Sequence, residues 1–436
     1  MIFLLSSKYI HSDNPSFKDI LATASSVSPF VLLNTINKLN NLPYARELNN
    51  QFTIKHIFRT YWKDFLKAHP NLSLRPSIIK NVEALIDCGS FHRGALLFDC
   101  PNCNNFHYQG LSCKSRFCPS CSKKYRDARA LEMMNKIIDA PHRHITFTIP
   151  DSLRKFFRLD RSLLDSLFLA VNNCLKFLTT GKSKLALKSG RSLGFISTLH
   201  SFGRDMKWHP HIHVLVAEKT IDNFGTHKKF SYFNFVSLKK GFMFQLFSLI
   251  SKKLKNSPYN QEFSLLKNRL YKTLDNGFYV NAPQKKNLSS NDTKLLIEYI
   301  VRYSSHPAIS ESNILNIDFK NHLITYSYTP HEDSLNDKIG PQIVTEHVFD
   351  FIKKLIIHIP DKGFQLIRYY GFYSNKSNLK NYITKKIFKK PDSSKIKSLQ
   401  NWRKRLINTF HYDPILCHCG YLMNFNRKHS IFPKGG

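Results

Sequence analysis

The chain has 436 residues, 42% of them hydrophobic and 13% aromatic, which is enough to bury the cores of two or three domains and excludes a disordered tail. Lysine and arginine number 65 against 30 acidic residues, a formal charge of +35. That excess repels itself unless a polyanion offsets it, and nucleic acid is the natural one. No run of about 18 apolar residues and no basic helix with a broad apolar face appears, so no membrane partner is expected. The opening Met-Ile-Phe-Leu-Leu lacks the basic segment of a signal peptide. A cytoplasmic, nucleoid-associated protein is expected, and in that reducing compartment the nine cysteines read as thiols or metal ligands rather than disulfides.

Residues 1–50 are polar, rich in Asn and Ser, and form an N-terminal extension with no nameable chemistry. A helical and zinc-binding domain is expected over 51–138. The spacing of Ile54, Ile57, Tyr61 and Phe65 predicts an amphipathic helix, with a second over 77–88. Two Cys-Pro-x-Cys knuckles follow. Cys100, Cys103, Cys118 and Cys121 have the pairing and separation of a tetrahedral thiolate zinc site, with Cys88 and Cys113 close by in sequence. Four thiolates close the coordination sphere, so this zinc is expected to fold a ribbon rather than do chemistry. Lys114, Arg116, Lys123, Lys124 and Arg126 surround it with positive charge suited to a phosphate backbone.

A catalytic domain is expected over 139–335. A strand at 144–149 is closed by Pro150, and a long helical pattern covers 152–178. Residues 194–202 and 208–216 read as an antiparallel hairpin turning near Asp205. Helices are predicted at about 236–254 and 259–273, a strand near 278–283, a helix over 290–304, and two short strands about Lys320 and Asn321. Cys174, inside an apolar helical pattern, reads as core. From 336 to 436 a basic C-terminal DNA-binding region is expected, with a helix over 347–359 and a lysine-laden stretch. Lys385, Lys386, Lys389, Lys390, Arg403, Lys404 and Arg405 are candidates to track phosphate, the alternative being a solvated charged surface. Tyr369, Tyr370 and Tyr373 suit either base stacking or a buried strand. The order of elements lacks a regular βαβ rhythm, so the fold class is α+β.

The segment Trp-His-Pro-His-Ile-His-Val-Leu-Val, 208–216, places His209, His211 and His213 on one strand face and Ile212, Val214 and Val216 on the other. His-x-His pairs are commonly satisfied core residues, and His142 with His144 is read that way. For His211 and His213 the hairpin adds His200, which it sets opposite His211. Three neutral imidazoles make an open divalent-metal site, for Mg²⁺ or Mn²⁺. His209 competes as third ligand, and His200 is preferred because His209 sits at the strand entrance before Pro210. Tyr299 and Tyr303 stand at i and i+4 on one helical face. Taken alone they read as core; beside a metal-bound phosphate, a phenolate can attack phosphorus and hold the strand covalently. No P-loop sequence is present.

Taken together, "LIDCGSFHRGALLFDCPNC", "SCKSRFCPSC", "ITFTIP", "LHSFGRDMKWHPHIHVLV", "YIVRYSSHPAIS" and "GFQLIRYYGFYS" resemble the bacterial rolling-circle HUH two-tyrosine insertion-sequence transposases with an N-terminal zinc-binding domain. The resemblance runs from about 52 to about 425. It implies an HUH-endonuclease core of antiparallel sheet flanked by helices, behind an N-terminal helical and zinc-ribbon module. It implies His211 and His213 as the metal pair, His200 at the third histidine position, and Tyr299 and Tyr303 as nucleophiles that keep a 5′ phosphate. Single-stranded DNA at transposon ends and target DNA are the implied substrates, with host replication proteins as further partners. The other class in view is a non-catalytic zinc-ribbon DNA-binding regulator. Near the C-terminus the chain has Cys417, His418 and Cys419 where relatives show C-x-x-C. This pair is either a leftover or completes a site with Cys88 or Cys113.

Overall fold

The computed structural model describes residues 53–138, 140–181, 188–230, 232–281, 295, 297, 298, 300, 301, 307–330, 340–379 and 401–432. In chain order these form α1 (Ile54–Ala68), α2 (Pro76–Ile86), β1 (Ala95–Asp99), β2 (Phe106–Gly110), α3 (Pro119–Met134), β3 (His142–Thr148), α4 (Arg154–Leu159), α5 (Leu163–Thr180), β4 (Ser192–Phe202), β5 (Trp208–Ile221) and β6 (His227–Lys229). Then come α6 (Phe235–Lys253), α7 (Asn260–Thr273), β7 (Val280–Asn281), β8 (Ile314–Asp318), β9 (Leu323–Tyr328), β10 (Gln342–His347), α8 (Val348–Ile356), β11 (Ile367–Tyr370), α9 (Trp402–Phe410) and β12 (Asn424–Ile431). The fold is α+β. No described helix is long and apolar enough to cross a membrane.

The central sheet is antiparallel, in the order β11-β4-β5-β3-β7 with β6 added to β5. Alternation along its strands creates two unlike faces. Phe147, Phe195, Leu199, Ile212, Val214 and Val216 point to one, where α5 and α6 cover them with Leu167, Phe168, Val171, Phe242 and Leu246. Cys174 lies in this core. On the other face Ile196, Leu215 and Ala217 pack under Ile297, Ile300 and Val301, with Met133 of α3 and Phe372 alongside. The histidines of β4 and β5 continue this second face.

A second core joins α1, α2 and α8 to the sheet β10-β9-β8 through Phe58, Phe65, Val82, Ile324, Tyr326 and Phe351. Thr53 caps α1 by accepting the His56 amide, and Pro76 opens α2. The third sheet, β12-β1-β2, is the ribbon. The described parts of 336–436, the stretch expected to be a basic DNA-binding region, contribute to all three bodies. Its β10 and α8 join the second core, its β11 pairs with β4, and its β12 pairs with β1. Tyr369, Tyr370 and Tyr373 follow the buried-strand reading: Tyr370 stacks on Phe195 with ring centres 4.9 Å apart, and the Tyr373 hydroxyl meets His142 Nε2 at 2.6 Å.

Candidate active site and metal centres

The cysteines sort differently from their sequence spacing. Cys100, Cys103, Cys118 and Cys121 do not share one site. Cys118 and Cys121 meet Cys88 and Cys113, while Cys100 and Cys103 meet Cys417 and Cys419. The reason is the β1–β2 hairpin. Cys88 and Cys113 flank its open end, whereas Cys100 and Cys103 lie in its turn, and a strand of five residues separates the two ends by roughly 17 Å. Spacing along the chain could not reveal that a hairpin stands between the knuckles. The expected partners of Cys417 and Cys419 are likewise corrected, from Cys88 or Cys113 to Cys100 and Cys103.

In the first cluster, Cys121 Sγ lies 3.6 Å from both Cys88 Sγ and Cys113 Sγ. These contacts approach the spacing of about 3.8 Å expected for sulfurs about 2.3 Å from a tetrahedral zinc. Cys118 is the N-cap of α3 and Cys121 sits in its first turn, where the helix dipole favours a thiolate. Hydrogen bonds from the other three thiols hold the Cys121 thiol far below its ordinary value. Backbone contact closes the site: Gly89 donates to Leu111 O at 3.0 Å, and a Cβ on Gly110 would lie 2.1 Å from Gly89 O. Only glycine at 110 lets the Cys88 turn approach this closely.

The histidines come together as the hairpin requires. His200 pairs with His211 across β4–β5, and His213 pairs with Thr198 on one side and Thr146 on the other. Ligand nitrogens of His200, His211 and His213 all fall within 4.8 Å of one another. His209 is not in that group; its ring packs on His211 with centres 5.0 Å apart. The His211 Nδ1–H donates to His209 O at 2.7 Å, and His213 Nδ1 lies 2.7 Å from His144 Nε2. Donation from Nδ1 leaves the His211 Nε2 with a lone pair, and a proton on His213 Nδ1, given to His144 Nε2, would leave one on His213 Nε2 as well. Burial holds His211 and His144 at about 4, and His200 and His213 well below the ordinary imidazole value, so all are neutral, the ligand form. The donor set and its burial fit a divalent cation.

Tyr299 and Tyr303 lie outside the described residues. Their neighbours Ile297, Ile300 and Val301 are helical and packed on the histidine-bearing face. The His200 ring hydrogen-bonds to the backbone of Ile300.

Among the expected DNA-binding residues, Lys385, Lys386, Lys389 and Lys390 also lie outside the described residues. Lys114 is exposed beside the first cysteine cluster, in a left-handed turn with φ 56°. Arg116 is half-buried, and burial, aided by Arg129, lowers it to about 10. Lys124 and Arg126 extend from α3, while Lys123 reaches the Phe410 ring of α9. Lys404 is exposed on α9, and Arg405 lies over the Tyr125 ring at 4.9 Å. Arg403 is committed elsewhere, donating to both Asp413 carboxylate oxygens at 2.8 and 2.5 Å.

One residue escaped sequence reasoning. His144 sits on β3 with the parity of Thr146, two residues along from the position opposite His213. The available signal was that the two His-x-His strands share a sheet face.

Comparison with known families now bears on these sites. A family described as "Putative transposase" matches residues 194–380, and one described as "Transposase zinc-binding domain" matches 57–149. The transposase for insertion sequence element IS801 of Pseudomonas savastanoi pv. phaseolicola is 28% identical over 344 residues, covering 76% of this chain and 77% of that protein. A putative transposase, y4qJ, of Sinorhizobium fredii (strain NBRC 101917 / NGR234) is 23% identical over 340 residues, covering 74% and 80%. No solved structure matches. The α+β architecture and these matches define a transposase, an enzyme that processes DNA. More narrowly, over about three quarters of its length the chain is similar to transposases of insertion sequence elements, and residues 57–149 match their zinc-binding domain.

Proposed function

We propose that this transposase nicks and rejoins single-stranded DNA at the ends of its element through a 5′-phosphotyrosine link. The observation that carries the reading is the largely buried set of His200, His211 and His213, with the segment bearing Tyr299 touching it through Ile300. These three imidazoles would hold Mg²⁺ or Mn²⁺, which when bound supplies positive charge to a phosphate oxygen. Tyr299 and Tyr303 are the nucleophiles for successive transfers. The phenolic oxygen, after losing its proton, bonds to phosphorus; the bond from phosphorus to the 3′ oxygen breaks; and that oxygen leaves as a hydroxyl after taking a proton. The phosphodiester's energy stays in the new ester. Attack by a 3′ hydroxyl on the phosphotyrosine reverses the step, so rejoining needs no ATP.

The excess of 35 positive charges supports a polyanionic substrate. Element ends and target DNA are the substrates in this reading, host replication proteins are partners, and the cytoplasm is the site of action. The test mixes the full chain with labelled single-stranded element ends and Mn²⁺, then resolves the products on a denaturing gel. A DNA-linked protein band is expected for the wild type. In Tyr299→Phe/Tyr303→Phe, and in His211→Ala/His213→Ala, the band should fall below about one-hundredth while DNA binding persists. Binding without any adduct on authentic ends would replace this reading with a non-catalytic DNA-binding regulator.

A further inference from the structure

The second cysteine cluster lies outside the chemistry just described, and half of it lies outside both family matches. Cys100 directly follows β1 and Cys103 lies in the turn after it. Cys417 and Cys419 come from a separate turn more than 300 positions later in sequence. The Cys100 and Cys419 sulfurs are 3.4 Å apart, and those of Cys103 and Cys417 are 3.5 Å apart. All four sulfurs fall within 4.8 Å of one another. A disulfide needs about 2.05 Å; these contacts instead approach the spacing of about 3.8 Å across a tetrahedral zinc.

Both turns are built as knuckles. Cys100 N–H donates to Asn105 O at 2.7 Å, with Asn104 in the left-handed region at φ 51°. Cys417 N–H donates to Tyr421 O at 2.9 Å, and Gly420 takes φ 85°. Asn105 Nδ2 points at Cys417 Sγ from 3.6 Å, a donor to a thiolate. Beyond strand pairing and surface contacts, the apolar anchorage of the arm is small. β12 is mostly exposed, and among the described residues the buried core here is Phe98, Cys100, Cys417 and Met423. So small a core calls for a staple.

We propose that Cys100, Cys103, Cys417 and Cys419 form a second structural zinc centre, discontinuous in sequence, that clasps the C-terminal arm onto the zinc-binding domain. The folded chain then carries two zinc ions. Release of this ion alone frees β12 from β1 and α9 from α3, while the first centre stays loaded.

Zinc content of the full chain, purified under reducing conditions, tests the clasp. Two equivalents are expected for the wild type and one for Cys417→Ser/Cys419→Ser; one equivalent in the wild type, or two in the variant, overturns the proposal. Should the variant fail to fold, stepwise zinc release from the wild type by a chelator, with thiol alkylation mapped by mass spectrometry, decides. Cys100, Cys103, Cys417 and Cys419 should become reactive together, with loss of one equivalent and separately from Cys88, Cys113, Cys118 and Cys121. Alkylation of Cys417 and Cys419 independently of Cys100 and Cys103, or with no zinc released, overturns it, as does recovery of these residues as disulfides.

Discussion

His144 shows how a single side chain can set the state of its neighbours. Its Nε2 faces His213 Nδ1 at 2.7 Å, and Thr146 Oγ1 lies 3.3 Å from the same nitrogen. A ligand imidazole must donate from one nitrogen to keep the other available, and the acceptor of that proton fixes ring orientation and tautomer. His144→Ala should therefore weaken Mn²⁺ affinity by about 10–100-fold. Adduct yield against Mn²⁺ concentration checks this: the variant's curve should shift to higher metal and reach a similar plateau. A curve that keeps its midpoint but loses its plateau would assign His144 a different task.

At the scale of elements, the glycine pair shows what holds the first zinc centre open to Cys88. Gly110→Ala forces a Cβ against Gly89 O, where only 2.1 Å is available. Loss of one zinc equivalent and a stability drop of at least about 2 kcal/mol are expected, measured by metal content and thermal unfolding. A Gly110→Ala protein with full zinc and unchanged melting would show that the turn relaxes freely. The same region explains what could be read in advance. Apolar periodicity marked α1, α6, α7, α8 and the β4–β5 hairpin closely, because each buries one continuous face. Strand β12 escaped because its Asn-Phe-Asn-Arg-Lys-His-Ser-Ile is largely exposed and has no alternation to detect. The cysteine grouping escaped because the β1–β2 turn, not distance along the chain, decides which thiols meet. The imidazole set was legible because strand parity and one hairpin suffice to assemble it.

Across the whole molecule, buried histidines link stability to pH. His142, bonded to Tyr373 and to Ala140 O, and His358, bonded to Met206 O and Ser201, are each lowered by burial from 6.5 to about 4. Their folded-state values are depressed, so the unfolded chain takes up protons first. Stability is intact above pH 6.5 and falls as pH drops towards about 4, by up to about 3 kcal/mol per group. Thermal unfolding between pH 7.5 and 4 should show this decline, and His358→Gln should flatten it. A melting temperature that does not change between pH 6.5 and 4.5 would contradict the assignment.

The pairing of β12 with β1 also sets an order of events during synthesis. Leu97 donates to the Ser430 hydroxyl, a contact spanning 333 residues, and at roughly 5–20 residues per second the ribosome takes on the order of 15–70 s to cross that interval. Throughout it, β1 has β2 on one side and a bare edge on the other, a template open to any passing strand. The ribbon is thus completed only when a strand more than 300 residues after β1 arrives, and until then that edge is open to mispairing.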